Sequence, residues 1–201
     1  MIRVLLAEDQ ELVQAALRAL LELEEDITVV AEVGRGDEVL AAAREHVPDV
    51  ALMDIEMPGQ DGIEAARDLA AELPTVKAVI LTTFGRPGFL RRAMEVGAAG
   101  FLVKDSPVAE LAAAIRSVMA GERVIDRDLA AAALALGATP LSAREADVLR
   151  AAADGATVAD IAGRLFLSEG TVRNYLSNAI GKTGARTRVE AARVAADKGW
   201  L

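Results

Sequence analysis

The chain has 201 residues, a net charge of −9, and a composition that is 53% hydrophobic and 26% charged, the balance of a soluble protein long enough for two cored domains. It contains no cysteine, which excludes disulfides, thiol catalysis and Cys-ligated zinc or iron–sulfur centres. The single histidine, His46, has no second histidine with which to share a zinc ion, and reads as a partly exposed residue at a helix end.

The opening IRVLLAED is too short and too acidic for a signal peptide, and the longest uncharged run, Leu129 to Ala143, is too short to span a bilayer. A cytoplasmic protein, not inserted in a membrane, is expected. Charge is segregated along the chain. Residues 1–130 carry 24 acidic against 13 basic side chains, whereas residues 131–201 are net +2, with six basic residues against two acidic ones from Arg164 to Arg193. Two domains with different partners are expected.

In chain order, short runs rich in Val, Ile and Leu stand at Ile2 to Leu6, Thr28 to Val33, Asp49 to Met53, Lys77 to Leu81 and Ala99 to Val103. Helix-length segments follow them, with apolar residues three and four apart, as in Leu12, Ala16, Ala19, Leu20 and Leu23. Strand alternating with helix five times predicts an α/β fold, a doubly wound, flavodoxin-like (βα)5 domain of parallel strands, for which the order 2-1-3-4-5 is one known arrangement. Ligands of such sheets bind beyond the carboxyl ends of the strands.

The strand ends carry chemistry. The first run ends at Glu8 and Asp9, the third at Asp54, the fourth at Thr82 and the fifth at Lys104. If the first and third strands are neighbours, three carboxylates crowd together and demand a counter-ion. A hard divalent cation with oxygen ligands answers that demand, and Mg2+ is expected. Lys104 offers a point charge, and Thr82 a hydroxyl, to an anion arriving beside the metal. This set suits phosphoryl transfer onto Asp54, a reaction that depends mainly on positioning and charge neutralisation. Singly, each residue also has a structural reading as a turn, cap, core or solvated side chain.

AED near the start, LMDIEMPGQDG around Asp54, ILTTF around Thr82 and GFLVKD around Lys104 together resemble the receiver domain of bacterial two-component response regulators. The resemblance covers about the first 120 residues. It implies that Glu8 and Asp9 are the acidic metal pair, Asp54 the phosphorylated aspartate, and Thr82 and Lys104 the phosphate-sensing residues. It further implies that the backbone carbonyl of Glu56 ligates the metal and that Phe101 is the aromatic residue that repacks on activation. Asp105 stands where many receivers have proline; with Ser106 it is a candidate cap for a helix beginning at Pro107.

Gly121 is expected to close the receiver, giving a domain over 1–121, a linker over 122–138 with a short helix in DRDLAAAALAL that GATP breaks, and a second domain over 139–201. The second domain reads as four short helices. Ser142 with Glu145, Thr157, Ser168, and Thr187 with Glu190 mark their starts, and Gly155 the end of the first. In SEGTVRNYLSNAIGK, residues Val172, Leu176, Ala179 and Ile180 share one face, while Arg173, Asn174 and Ser177 point the other way. Arginine pairs with guanine and asparagine with adenine in the major groove, next to backbone-binding Lys182 and Arg186.

Two helices joined by Phe166 to Ser168, the second exposed and polar-basic, describe a C-terminal all-α helix-turn-helix domain. The stretch from LSAREADVLR to GKTGARTR resembles the LuxR-type DNA-binding domain. That resemblance implies that Thr171, Arg173, Asn174, Ser177 and Lys182 line the DNA face. Tyr175 departs from the histidine frequent in the family, and stacking, packing and phosphate contact are all open to it.

The whole chain therefore resembles a two-component response regulator of the NarL/FixJ class, and LTTFGRPGF is similar to its DesR branch, whose partner is a membrane-embedded histidine kinase. The resemblance implies a sensor histidine kinase as phosphodonor, a double-stranded DNA operator, a homodimer when phosphorylated, RNA polymerase as a further partner, and no enzyme activity of its own. Two rivals stand beside it: a phosphatase of the haloacid dehalogenase type, for which Glu56 occupies the place of the expected second aspartate, and a receiver-type regulator acting through protein–protein contacts alone.

Overall fold

The computed structural model describes residues 1–83, 85–104, 108–135, 139–153 and 155–201. The expected cap at Asp105 and Ser106, the helix start at Pro107, and the Gly137 and Ala138 of GATP lie outside them. The chain divides into two compact units, residues 1–85 with 90–130 and residues 86–89 with 131–201.

In the first unit the apolar runs become parallel strands β1 (Ile2–Ala7), β2 (Ile27–Val33), β3 (Val50–Met53), β4 (Lys77–Thr82) and β5 (Gly100–Val103). Helices α1 (Glu11–Leu21), α2 (Val39–His46), α3 (Gly62–Glu72), α4 (Pro87–Glu95, of which residues 90–95 belong to this unit) and α5 (Val108–Met119) alternate with them. All four residues of β3 are buried, as expected of a central strand covered on both faces. One core cluster joins Val4, Leu6, Leu52, Val79 and Leu81 of the sheet to Leu111, Ile115 and Val118 of α5. His46 is half-buried at the end of α2.

The sheet order is β2-β1-β3-β4-β5-β6. The sixth strand, β6 (Val124–Ile125), pairs parallel with β5 inside the segment expected to be linker. Two residues are too few to show a period-2 pattern, so this strand has no local signature. Helix α6 (Arg127–Ala135) follows it, within the expected connecting helix.

The second unit contains α7 (Ala143–Ala152), α8 (Val158–Leu165), α9 (Glu169–Thr183) and α10 (Arg188–Asp197). Ser142, Thr157, Ser168 and Thr187 each accept a hydrogen bond from the backbone N–H three residues on. Ser142 with Glu145 and Thr157 with Asp160 form complete capping boxes. Val148, Ala152, Ile161, Val172 and Leu176 make one buried cluster, and Leu141, Leu149, Ala179, Ala191 and Ala195 another. The short α8–α9 link turns at Phe166, whose φ of 55° is left-handed. Among the described residues no helix is long and apolar enough to cross a membrane.

Candidate functional site

Strand register assembles the first site. The Asp54 N–H donates to the Ala7 carbonyl at 2.9 Å, extending the β1–β3 ladder by one residue and setting Asp54 beside Glu8. On either side, Glu8 N donates to the Val33 carbonyl at 3.0 Å and Lys104 N to the Thr82 carbonyl at 2.8 Å. Five sequence-distant side chains thus reach one rim because parallel ladders align the strand ends.

Glu8, Asp54 and Thr82 are buried there, with relative exposures of 2%, 6% and 3%, while Asp9 is exposed. One carboxylate oxygen from each of Glu8, Asp9 and Asp54 lies within 4.8 Å of the others. Lys104 Nζ donates to Glu8 Oε2 at 2.5 Å and lies 3.1 Å from Asp54 Oδ2. Asp54 Oδ1 accepts from the Ile55 N–H at 2.8 Å. Burial pushes the Glu8 carboxyl above its ordinary pKa, with Asp54 adding repulsion and Lys104 pulling the other way. For Lys104, burial acts downward, yet the bond to Glu8 and the charge of Asp54 outweigh it and hold its pKa above the ordinary value. Three carboxylates against one ammonium leave a surplus of negative charge, and an all-oxygen donor set fits a hard divalent cation.

A cavity of about 290 Å3 opens at this point, lined by Asp9, Gln10, Asp54, Glu56, Thr82 and Thr83. For Gln10 and Thr83, adjacency to Asp9 and Thr82 is the only signal in the sequence. Gln14 has no signal in the sequence at all. Its side-chain amide donates to the Glu8 and Val33 carbonyls at 3.2 and 3.0 Å, fastening the ends of β1 and β2.

Two glycines hold the acceptor loop. A Cβ on Gly62 would stand 1.9 Å from the Asp54 carbonyl oxygen, and one on Gly36 1.9 Å from the Gln60 carbonyl oxygen, so backbone packs where a side chain cannot go. Phe101 is fully buried in β5, paired with Ile80 on one side and Ile125 on the other.

The second site is the outer face of α9. Arg173, Asn174 and Ser177 are exposed, opposite the buried Val172, Leu176 and Ala179. The Arg173 guanidinium donates to Glu169 Oε2 at 2.6 Å, an exposed pair one helical turn apart. Thr171 is half-buried and committed to the cap: its N–H donates to Ser168 Oγ at 3.1 Å and the two hydroxyls lie 2.8 Å apart. Lys182 donates to Glu145 Oε2 at 2.7 Å; Glu145 is only 4% exposed. Burial opposes ionisation of that carboxyl, but Lys182 and the Ser142 N–H outweigh it and hold its pKa below the ordinary value. Tyr175 packs half-buried on the cluster around Val148 and Ile161.

An acidic pocket with a half-buried lysine at the rim of a doubly wound sheet, joined in one chain to a capped helix-turn-helix, defines a class: regulators that pair a phosphoryl-accepting domain with a DNA-binding one. Residues 4–116 match the response regulator receiver domain and residues 139–195 the luxR family of bacterial regulatory proteins. The chain accordingly belongs to the two-component response regulators of the NarL/FixJ class, with a receiver and a LuxR-type DNA-binding domain. Among its relatives, the transcriptional regulatory proteins YvfU and DesR of Bacillus subtilis are 46% and 44% identical over 201 residues, the whole of each chain. The crystal structure of the response regulator ChrA of a heme-sensing two-component system superposes with a TM-score of 0.60 at 34% identity, covering 100% of this chain and 98% of that one.

Proposed function

We propose that Asp54 accepts a phosphoryl group from a sensor histidine kinase, and that its occupancy switches dimerisation and sequence-specific binding of a double-stranded operator. The observation that carries this reading is Lys104 Nζ, at 2.5 Å from Glu8 and 3.1 Å from Asp54, inside a cluster of three acids. In the transfer, an Asp54 carboxylate oxygen attacks phosphorus, the bond from phosphorus to the kinase imidazole nitrogen breaks, and the imidazole leaves with the electron pair. The Ile55 N–H orients one oxygen of Asp54, leaving the other to face Lys104. Lys104 and the Thr82 hydroxyl then hold phosphoryl oxygens. Glu8, Asp9, Asp54 and the Glu56 carbonyl are the groups that would hold Mg2+, which when bound neutralises charge on the transferring group.

The switch runs through Phe101, whose strand ends immediately before Lys104, and biases a two-state rearrangement. The outer faces of α1 and α5, with Leu23 just beyond the end of α1, are the proposed dimer surfaces: Leu12, Leu23 and Met119 are exposed at 84%, 78% and 39%. Dimerisation sets two recognition helices on half-sites about one helical turn apart. Arg173, Asn174 and Ser177 read bases, with Thr171 and Lys182 at the edge of that face. RNA polymerase is a further proposed partner, the protein works in the cytoplasm, and it turns over no substrate of its own.

The test is acetyl phosphate with Mg2+. The wild-type chain gains the roughly 80 Da of one phosphoryl group, shifts to a dimer, and tightens on duplexes that it selects from a random library. Asp54→Ala does none of these. A mass gain on both proteins, or on neither, overturns the acceptor assignment.

A further inference from the structure

The receiver match ends at residue 116 and the luxR match begins at 139. The segment between them nevertheless builds part of the first unit. We propose that Leu129, in this intervening segment, is a positioning residue for the phosphoryl site, acting through Gly85, three residues after Thr82, and through Val103, the residue before Lys104. This rests on the reading of Asp54 as phosphoacceptor.

In RVIDRDL an apolar pair, Val124 and Ile125, is followed by an acid that stops the strand and starts a helix. The pair extends the sheet: Val124 N donates to the Ala99 carbonyl at 3.1 Å and Asp126 N to the Phe101 carbonyl at 3.2 Å. The carbonyl of the proposed switch residue is therefore the acceptor that anchors the segment. Asp126 Oδ1 then accepts the Leu129 N–H at 2.9 Å, starting α6.

That turn drives Leu129 inward. It is 5% exposed. Its Cδ1 and Cδ2 lie 3.4 and 3.6 Å from the point where a Cβ on Gly85 would stand, and Val103 Cγ2 lies 3.4 Å from the same point. Gly85 is three residues beyond Thr82, and Val103 immediately precedes Lys104, whose N–H donates to the Thr82 carbonyl. Leu129 thus seats on the Gly85 backbone, at a point that the Val103 side chain reaches as well, next to both segments that present the phosphate-holding groups. Covering the edge of β5 needs only the apolar pair of β6. Seating against Gly85 as well requires Asp126 to turn the chain there.

Close-packed interiors transmit displacement. A phosphoryl group held at Thr82 and Lys104 that displaces Gly85 or Val103 alters the seat of Leu129, and by linkage the seat of Leu129 alters the stability of the phosphorylated form.

The experiment follows aspartyl-phosphate formation and decay on the full chain with acetyl phosphate and Mg2+, by intact mass. Leu129→Ala is expected to change the rate of formation or of decay at least about fivefold, and Leu129→Met to restore it. Val118→Ala removes an equally buried residue of α5 and should leave both rates within about twofold. Equal kinetics in Leu129→Ala and wild type, or an equal effect of Val118→Ala, overturn the positioning role while leaving the acceptor intact. A wild-type chain that takes up no phosphate overturns both. Independently of any variant, hydrogen exchange of the wild-type peptide 124–130 should change on adding beryllofluoride with Mg2+; unchanged protection overturns the coupling.

Discussion

Lys182 belongs to the residues that the LuxR resemblance sets on DNA, yet its ammonium donates to Glu145, a buried acid 37 positions earlier in the chain. The pair joins the start of α7 to the end of the recognition helix α9. Lys182→Met leaves that carboxylate without its cation and should lower stability by about 1–3 kcal/mol, less than for a fully buried pair because Lys182 is 40% exposed. Because Glu145 is held below the ordinary carboxylate pKa, its contribution is complete at neutral pH and is lost as pH falls through the lowered value. Thermal unfolding of Glu145→Gln should therefore fall less steeply than wild type below about pH 5. Arg173 differs: its partner Glu169 is exposed and the pair contributes little to folding. Arg173→Ala should leave the melting temperature unchanged and cost about 1–3 kcal/mol on a selected duplex. An equal loss on random duplex would make it a phosphate contact instead.

At the scale of elements, local chemistry and packing divide the work. The four hydroxyl caps of the second unit were legible because a cap acts over three residues, and all four accept the backbone N–H three residues on. Strand β6 was not legible, since its two residues become a strand only against the edge of β5. Phe166 is a third case. It is 95% exposed and adopts a left-handed conformation at the end of α8, a position that favours glycine or asparagine. Its ring belongs to none of the buried clusters among the described residues, so Phe166→Asn should raise stability by up to about 1 kcal/mol, read as a higher thermal midpoint. No gain would mean that the ring contributes packing which offsets the strain.

Across the whole molecule, charge is divided between a receiver that gathers acids and a DNA-binding domain that gathers bases. The acids repel polyanions everywhere except where the bases cluster, so operator affinity should fall steeply with salt, by a slope near 0.9 per phosphate contacted. The same economy applies to assembly. One small module has few base contacts, and pairing two of them multiplies affinity through effective concentration. Leu12 is 84% exposed, so Leu12→Arg should fold and accept phosphate as wild type does, yet stay monomeric in sedimentation after phosphorylation. A dimer of unchanged affinity would move the interface away from the face of α1.

The amino-acid sequence alone determined the parallel alternation of strand and helix, the acids and lysine at the strand ends, and the polar face of α9. Each of these is written in spacings of two to four residues, the range over which backbone geometry makes side chains neighbours. Only the tertiary structure decided that Lys104 donates to Glu8 while also facing Asp54, that Lys182 is shared with a buried acid, and that Leu129 seats against Gly85. Such contacts join residues tens of positions apart, and they exist because packed layers bring those positions together, a condition that no local pattern encodes.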